Sequence, residues 1–351
     1  MKVKTIKLDN KSAGVGYPCY IIAEVGSNHN KDIDTAKKLI EVAKNCGCDA
    51  VKFQSYTADG IYSVYTPRIS EMEGRSKNGE TPYELIKRIQ MPPEWHAGLK
   101  EHCDSVGITF CSTPFDESMV DILESVNIPF YKVASYEITH YPMLEKIART
   151  GKPVILSTGN TGLSDIELAI DTLEKNGCKE YALLHCVSQY PAKYGDMNLR
   201  CIVSLREAFD CVIGFSDHTV DIISSIIAIS LGASIIEKHI TLDKSYPGPD
   251  HPFSLEPHEL KQFVEMIRNT ETILGSPIKR VLESEEENHR IGRRSIIAAS
   301  EIKKGEVITR DKLVIKRPAL GLHPKYLELV VGKTAKKNIS KDMWLTWESI
   351  L

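Results

Sequence analysis

The chain has 351 residues, is 42% hydrophobic and 26% charged, and carries a formal net charge of −3. That is a globular balance without the basic stripe that marks a nucleic-acid partner. No apolar run approaches the roughly 18 residues of a membrane span, and the opening "MKVKTIKLDNKSAG" lacks the apolar core of a secretory signal. The nine cysteines are odd in number and scattered through apolar segments (Cys111, Cys186, Cys211), so reduced, buried thiols and a cytoplasmic location are expected.

In chain order, residues 1–18 alternate like a short hairpin, placed to close the bottom of a barrel built from the later strands. "CYIIAEVGS" from Cys19 and "AVKFQSY" from Ala50 read as strands flanking the amphipathic helix "DTAKKLIEVAKNCG". There Ala36, Leu39, Ile40 and Ala43 share a stripe, with Asp34 as the expected cap and Gly47 as the stop. The close pair Cys46 and Cys48 has no second pair, so it reads as packing rather than a metal site. Further strands are "ITFCSTP" from Ile108, "FYKVASYE" from Phe130, "PVILSTG" from Pro153, "YALLHCV" from Tyr181, "VIGFSDH" from Val212 and "IIEKHIT" from Ile235. The helix "SDIELAIDTLEKNG" repeats the grammar of the first, with Ser164 expected as cap and Gly177 as stop. Eight strand–helix units over about 250 residues are what a (β/α)8 TIM barrel requires; an open doubly wound sheet has no need of eight near-equal units. The barrel is expected over 1–280, followed by a charged, solvated linker over 281–293 containing "ESEEENHRIGRR". A small β-rich module is expected over 294–351.

Chemistry in such a barrel sits at the C-terminal strand ends. Here these ends read Glu24; Lys52 and Gln54; Ser112 and Thr113; Lys132 and Ser135; Ser157 and Thr158; His185; Ser216, Asp217 and His218; Glu237 and His239. Lys52/Gln54 and Glu237/His239 are spaced by two and so share a strand face. Lysines buried there need anions to compensate them. With the hydroxyls of Thr113, Ser135, Ser157 and Ser216 they suit a small polyanion carrying phosphate or carboxylate. His218 and His239, on adjacent strands, can reach one divalent cation and leave positions open, although a histidine pair alone also occurs in ordinary cores. Glu24 and Glu237 are candidate acids or bases, with Glu237 preferred because it shares a face with His239.

At these residues the sequence resembles the sialic acid synthase family, through "IIAEVGSNHN", "AVKFQSY", "STPFDES", "YKVASYEITHYPML", "GKPVILSTGN", "LLHCVSQYPA", "IGFSDHT", "EKHITLD", "PGPDHPFSLEP" and "VIKRPALGLHPKYL". The resemblance implies a TIM barrel with a C-terminal antifreeze-like (SAF) domain, in a homodimer whose SAF domain covers the partner's active site. It implies condensation of phosphoenolpyruvate with an N-acetylated hexose, metal-assisted, to a nine-carbon ulosonic acid and phosphate. By position it implies ligation of Mn2+ or Mg2+ by His218 and His239. Phosphoenolpyruvate contacts are implied for Lys52, Thr113, Lys132, Ser135, Ser157 and Ser216, and for Ser188, where some members carry asparagine. Gln54, Glu137, Tyr190, Asp250 and Arg317 match sugar-side positions, and Glu24 and Glu237 match catalytic acids, with Asp250 beside them. Two other readings stay open: a Schiff-base aldolase using Lys132 or Lys52 without metal, and a non-catalytic sugar- or polyanion-binding protein. The acceptor stays open as well, between N-acetylmannosamine, its phosphorylated form and deoxy-diacetamido analogues.

Overall fold

The computed structural model describes residues 4–68 and 79–350. The chain divides into two units, Met1–Gly275 and Ser276–Leu351. In the first, β1 (Thr5–Leu8) and β2 (Lys11–Gly14) pair antiparallel, Asp9 taking a positive φ in the tight turn between them. Residues 1–3 of the expected hairpin lie outside the described residues.

Eight parallel strands come next: β3 (Tyr20–Glu24), β4 (Ala50–Ser55), β5 (Thr109–Pro114), β6 (Tyr131–Val133), β7 (Val154–Ser157), β8 (Tyr181–Cys186), β9 (Val212–Asp217) and β10 (Ile235–His239). They form one sheet in the order β5-β4-β3-β10-β9-β8-β7-β6. The end strands β5 and β6 lie against each other, so the sheet is a nearly closed (β/α)8 barrel rather than an open sheet.

Period-two alternation splits each strand between two cores. Val51, Phe53, Phe110, Tyr131, Leu156, Leu183, Phe215 and Ile236 face outward into the helix layer. Tyr20, Ile22, Ala50, Cys111, Phe130, Ile155, Ala182, Leu184, Val212 and Ile235 face inward, where Ile6, Leu8 and Ala13 of the hairpin pack against them. The barrel is therefore filled from below, and its inward alternation continues upward into polar residues.

The helix after β3 runs Ile33–Cys46, with Ala36, Leu39, Ile40 and Ala43 buried and Gly47 stopping it at φ 91°. Its cap is Asp32 rather than Asp34: the Asp32 carboxylate accepts from Asp34 N and Thr35 Oγ1. The helix Leu163–Lys175 likewise starts before Ser164. Gly162 is its cap residue, and Asp165 accepts the Gly162 N–H at 3.0 Å. In both cases a carboxylate that reaches the orphan N–H groups decides the start. Cys46 is half-buried and Cys48 buried, and burial pushes both thiols up, as a packing role requires.

The second unit carries β11 (Ser295–Ala298) paired antiparallel with β12 (Leu313–Lys316). A small core of its own includes Ile296, Ile302, Ile308, Leu322, Val330, Ile339 and Leu345. Most of its remaining pairing is through isolated bridges, so it is less regular than a run of strands. The charged stretch coils into a short exposed helix, Glu286–Gly292.

Candidate active site

The inward alternation brings Glu24, Lys52, Gln54, Lys132, Ser157, Ser216, His218, Glu237 and His239 around one cavity of about 390 Å³. Ser135, Glu137, Tyr190 and Asp250 join them from the loops after β6, β8 and β10. Thr113, fully buried, sits behind this lining and accepts from Lys52 Nζ at 3.2 Å.

The floor is a buried charge cluster in which Lys52, Lys132, Glu24 and Glu237 are all 4% exposed or less. Lys52 Nζ lies 2.9 Å from Glu24 Oε2, and Lys132 Nζ donates to Ser157 Oγ at 2.6 Å. Glu237 Oε2 stands 3.8 Å from both ammonium groups. That separation is too long for a hydrogen bond, and this oxygen has no other partner. Its sister Oε1 accepts from Ser216 Oγ at 3.0 Å, and Glu24 Oε1 accepts from Gln54 Nε2 at 2.7 Å.

Burial would raise both carboxyls, but the outcome differs. Lys132 and Lys52 outweigh burial at Glu237 and hold it at about 2. At Glu24 burial wins over Lys52, with Glu237 adding to the rise, so its pKa is raised. Burial alone would lower Lys52, but Glu237 and Glu24 reverse this and keep it charged; at Lys132 burial prevails and lowers it. Burial thus works against a second charged carboxylate at Glu24, while Lys52 and Lys132 both stand 3.8 Å from Glu237 Oε2, and the floor is disposed toward an anion.

Above the floor, the His218 and His239 rings lie 5.5 Å apart, edge to face, both 4% exposed. His218 Nδ1 is engaged with the Val187 carbonyl at 2.8 Å, leaving Nε2 for a ligand. Burial, aided by His218 and Lys52, pushes His239 down to about 3, so its imidazole stays neutral, and its Nδ1 is buried without a hydrogen-bond partner. Among the described residues no three His, Cys, Asp or Glu side chains converge on a metal position. At His218 burial is outweighed by the Cys186 thiol, the Val187 carbonyl and Glu237, so its pKa is raised and a cation would displace its proton. The donor set is then two imidazole nitrogens, which fits a divalent cation whose remaining ligands are water and substrate oxygens. A Cβ at Gly26 (φ +54°) would stand 3.0 Å from Asp250 Oδ2 and 3.3 Å from His239 Nδ1, so glycine keeps the space beside the pair open. Tyr190 lies over His218 with ring centroids 4.1 Å apart.

Ser188 lines a second, wider cavity of about 900 Å³ between the segments after β7 and β8, which shares Tyr136 and Cys186 with the first. Its hydroxyl is buried without a partner. A Cβ on Gly159 would collide with Ser188 Oγ and Ser135 Oγ, and Gly159 N donates to Ser135 Oγ at 3.0 Å. Ser188 is therefore brought to the Ser135 end of the site. Glu137 has a buried oxygen without a partner, and burial raises its pKa to about 7. Arg317 belongs to the second unit, where it is exposed.

Four strand-end residues turn away from the mouth. Ser112 bonds Ser55 Oγ at 2.6 Å, and Thr158 bonds the Leu184 carbonyl. His185 stacks on Phe215 and bonds the Met197 carbonyl at 2.7 Å, and Asp217 pairs with Lys238. Each is one residue out of phase with the inward set. Sequence reasoning missed Cys186, whose thiol is 3.8 Å from His218 Nδ1 and which the period-two rule would have found. It also missed an apolar side of the cavity, formed by Tyr56, Ile61, Tyr62, Leu85, Ile86, Ile89 and Phe115. Those positions carry the same pattern as ordinary core.

Known proteins share this architecture. The NeuB family model matches residues 39–279 and the SAF domain model residues 293–351. An uncharacterized protein of Methanocaldococcus jannaschii is 43% identical over 349 residues, 99% of each chain. The N,N'-diacetyllegionaminic acid synthase of Campylobacter jejuni is 43% identical over 324 residues, 92% of this chain and 97% of its own. The crystal structure of an N-acetylneuraminic acid (sialic acid) synthetase of Leptospira borgpetersenii, in complex with citrate, matches with a TM-score of 0.72 at 34% identity. That match covers 82% of this chain and 95% of the other. The chain is therefore a member of the NeuB family of sialic acid-type synthases, carrying a SAF domain.

Proposed function

We propose that this enzyme condenses phosphoenolpyruvate with an N-acetylated hexose and water, giving a nine-carbon ulosonic acid and phosphate. The observation that carries the reading is the Lys52–Glu237–Lys132 floor. Its two ammonium groups stand 3.8 Å from a carboxylate oxygen that neither hydrogen-bonds, so donors remain for a ligand's phosphate and carboxylate. Ser135, Ser157, Ser188 and Ser216 add hydroxyls, and Thr113 orients Lys52. Gln54, Glu137, Tyr190 and Asp250 are left for the sugar.

A divalent cation, Mn2+ or Mg2+, held by His218 and His239 would supply Lewis-acid polarisation of the acceptor's aldehyde oxygen. The electron pair of the enolpyruvate C2–C3 double bond forms the new bond from C3 to the aldehyde carbon. Glu24, raised by burial, holds the proton that the aldehyde oxygen takes as it becomes a hydroxyl. Glu237, the standing carboxylate, steadies positive charge at C2. Water then adds to C2 and returns a proton to Glu24; the new C2 hydroxyl passes its proton to the phosphate-ester oxygen as the C2–O bond to phosphate breaks, C2 becomes the ketone of the product, and hydrogen phosphate leaves against Lys52 and Lys132. This charge split favours Glu24 over Glu237 for proton handling.

We also place the working form as a cytoplasmic homodimer. The linker 281–293 lets the module 294–351 of one copy cover the 1–280 barrel of the other, bringing exposed Arg317 to the partner's sugar. No described helix is long and apolar enough to cross a membrane.

Phosphate release from phosphoenolpyruvate that needs both an N-acetylated hexosamine and a divalent metal tests the reading, and full turnover after exhaustive chelation would overturn the metal role. Lys52→Met and Lys132→Met should each raise the KM for phosphoenolpyruvate roughly ten- to a hundredfold, the cost of one charge-assisted contact in a desolvated site. Unchanged KM in both variants would contradict the assignment. The lowered pKa of Lys132 gives a Schiff-base aldolase its one supporting observation. Borohydride with a keto acid would then trap Lys132 covalently.

A further inference from the structure

The cavity of about 900 Å³ that holds Ser188 lies between the segments after β7 and β8 and the helices that follow them, Leu163–Lys175 and Cys201–Ala208. Its inner end is buried. Cys186, 5% exposed, lines it there and lines the mouth cavity as well. Its outer end is in solvent, where Asn160, Asn198, Cys201 and Ser204 are exposed.

Where the two cavities meet, Ser135 lines one and Ser188 the other, with Gly159 between them. A Cβ on Gly159 would collide with Ser188 Oγ and stand 2.9 Å from Ser135 Oγ and 3.2 Å from the Cys186 carbonyl oxygen. Gly159 is not at positive φ, so space alone calls for glycine: any side chain would fill this neck. The Ser188 hydroxyl is buried there without a partner among the described residues, ready to bond a group that passes.

In the synthase reading the phosphate of phosphoenolpyruvate lies among Ser135, Ser157, Ser188 and the two lysines, at the inner side of this neck. The acceptor lies above it, toward Gln54, Glu137, Tyr190 and Asp250. Once the new C–C bond has formed, the nine-carbon chain covers the phosphate from the mouth side. Hydrogen phosphate is strongly hydrated, and leaving past the product would keep it stripped of water until the larger molecule had gone. The second cavity offers rehydration at once, along the amide and hydroxyl groups of Asn160, Gln189, Asn198 and Ser204. Asp196 at its exposed rim disfavours retention of an anion, as suits a passage rather than a binding site.

We infer that phosphate leaves the enzyme through the second cavity, by the neck of Ser135, Gly159 and Ser188, ahead of the nine-carbon product. The inference rests on the synthase reading above and adds to it the route and the order of product release.

The test blocks the outer end of the cavity, far from the reacting atoms. Cys201 is the one exposed cysteine of the nine, so a bulky maleimide can be placed there, with Cys201→Ser treated in the same way as control. Ser204→Trp blocks the same end without a reagent and carries the test whether or not Cys201 reacts. Full-length protein with Mn2+, phosphoenolpyruvate and N-acetylmannosamine, or a 6-deoxy-2,4-diacetamido hexose where that sugar is inert, is followed by rapid quench for ulosonic acid and by a reporter of free phosphate. The blocked forms should complete a first turnover at the unblocked rate, then show a burst, a lag of free phosphate behind ulosonic acid, and a kcat lower by about tenfold or more. An unchanged kcat in Ser204→Trp would overturn the inference and leave the synthase reading intact. So would a first turnover slowed as much as kcat, which would assign the cavity to entry of water instead of exit of phosphate. Absence of ulosonic acid from the unblocked protein with either sugar would overturn the synthase reading and the inference with it.

Discussion

Lys238→Met is expected to be the most damaging single change outside the mouth. Lys238 lies between Glu237 and His239 in sequence but faces the opposite way, beside Asp217 on β9. The two side chains are 1% and 0% exposed and 3.1 Å apart. Lys238 Nζ also donates to the Thr219 carbonyl and, at 2.7 Å, to that of Asp221. Asp217 accepts from Thr219 N at 2.8 Å and from the Thr219 and Ser225 hydroxyls, each at 2.7 Å. The pair therefore ties β10 to the segment 217–221, which contains His218. Removing the ammonium leaves the carboxylate buried with hydrogen bonds but no counter-charge, at a cost of about 3–5 kcal/mol. For a unit of this size each kcal/mol shifts Tm by roughly 2–4 °C, so a fall of about 6–20 °C is expected in the barrel's thermal transition, followed by circular dichroism. Asp217→Asn combined with Lys238→Met removes both charges, and should recover about 2 kcal/mol or more relative to the sum of the single changes. A cost below about 1 kcal/mol for Lys238→Met, or simple additivity in the cycle, would refute the reasoning.

Glu137 offers a test of linkage. Burial raises its folded pKa from 4.5 to about 7, so between those values the native state keeps a proton that the unfolded chain has lost. Stability therefore falls as pH rises through that window, and Glu137→Gln should remove part of the fall; a variant advantage that does not grow from roughly pH 5 to pH 8 in urea unfolding would contradict the burial argument. Mixing inactive Arg317→Ala with inactive His239→Ala under subunit exchange should restore about a quarter of wild-type activity, because each mixed dimer then has one intact mouth. A mixture that stays inactive would assign Arg317 to its own barrel.

Much of the site was legible because strand alternation is a strict period. Lys52 with Gln54, and Glu237 with His239, share faces by spacing alone, and the structure has each pair facing inward. His185 and Asp217 were grouped with them only because strand ends are easier to locate than strand phase; one residue of phase carries each to the helix layer. The apolar wall was not legible, since Leu85, Ile86 and Ile89 form the stripe of any amphipathic helix. Periodicity marks a face that is covered but not what covers it. The cap at Asp32 instead of Asp34 turned on which carboxylate reaches the first N–H groups, a matter of local backbone angle.

By itself, then, the sequence determined eight strand–helix units, a hairpin beneath them, a separate small module and a set of strand-end residues rich in lysine, glutamate, hydroxyl and imidazole. Those arise from local periodicity, turn chemistry and the cost of burying charge, all of which act over a few residues. Only the tertiary structure decided that Glu237 stands between two lysines while burial raises the pKa of Glu24, that Ser188 joins Ser135 across Gly159, and that the cavity has an apolar side. These depend on which strands are neighbours once the sheet closes, and on the desolvation that closure imposes, and both are set by contacts between residues far apart in the chain.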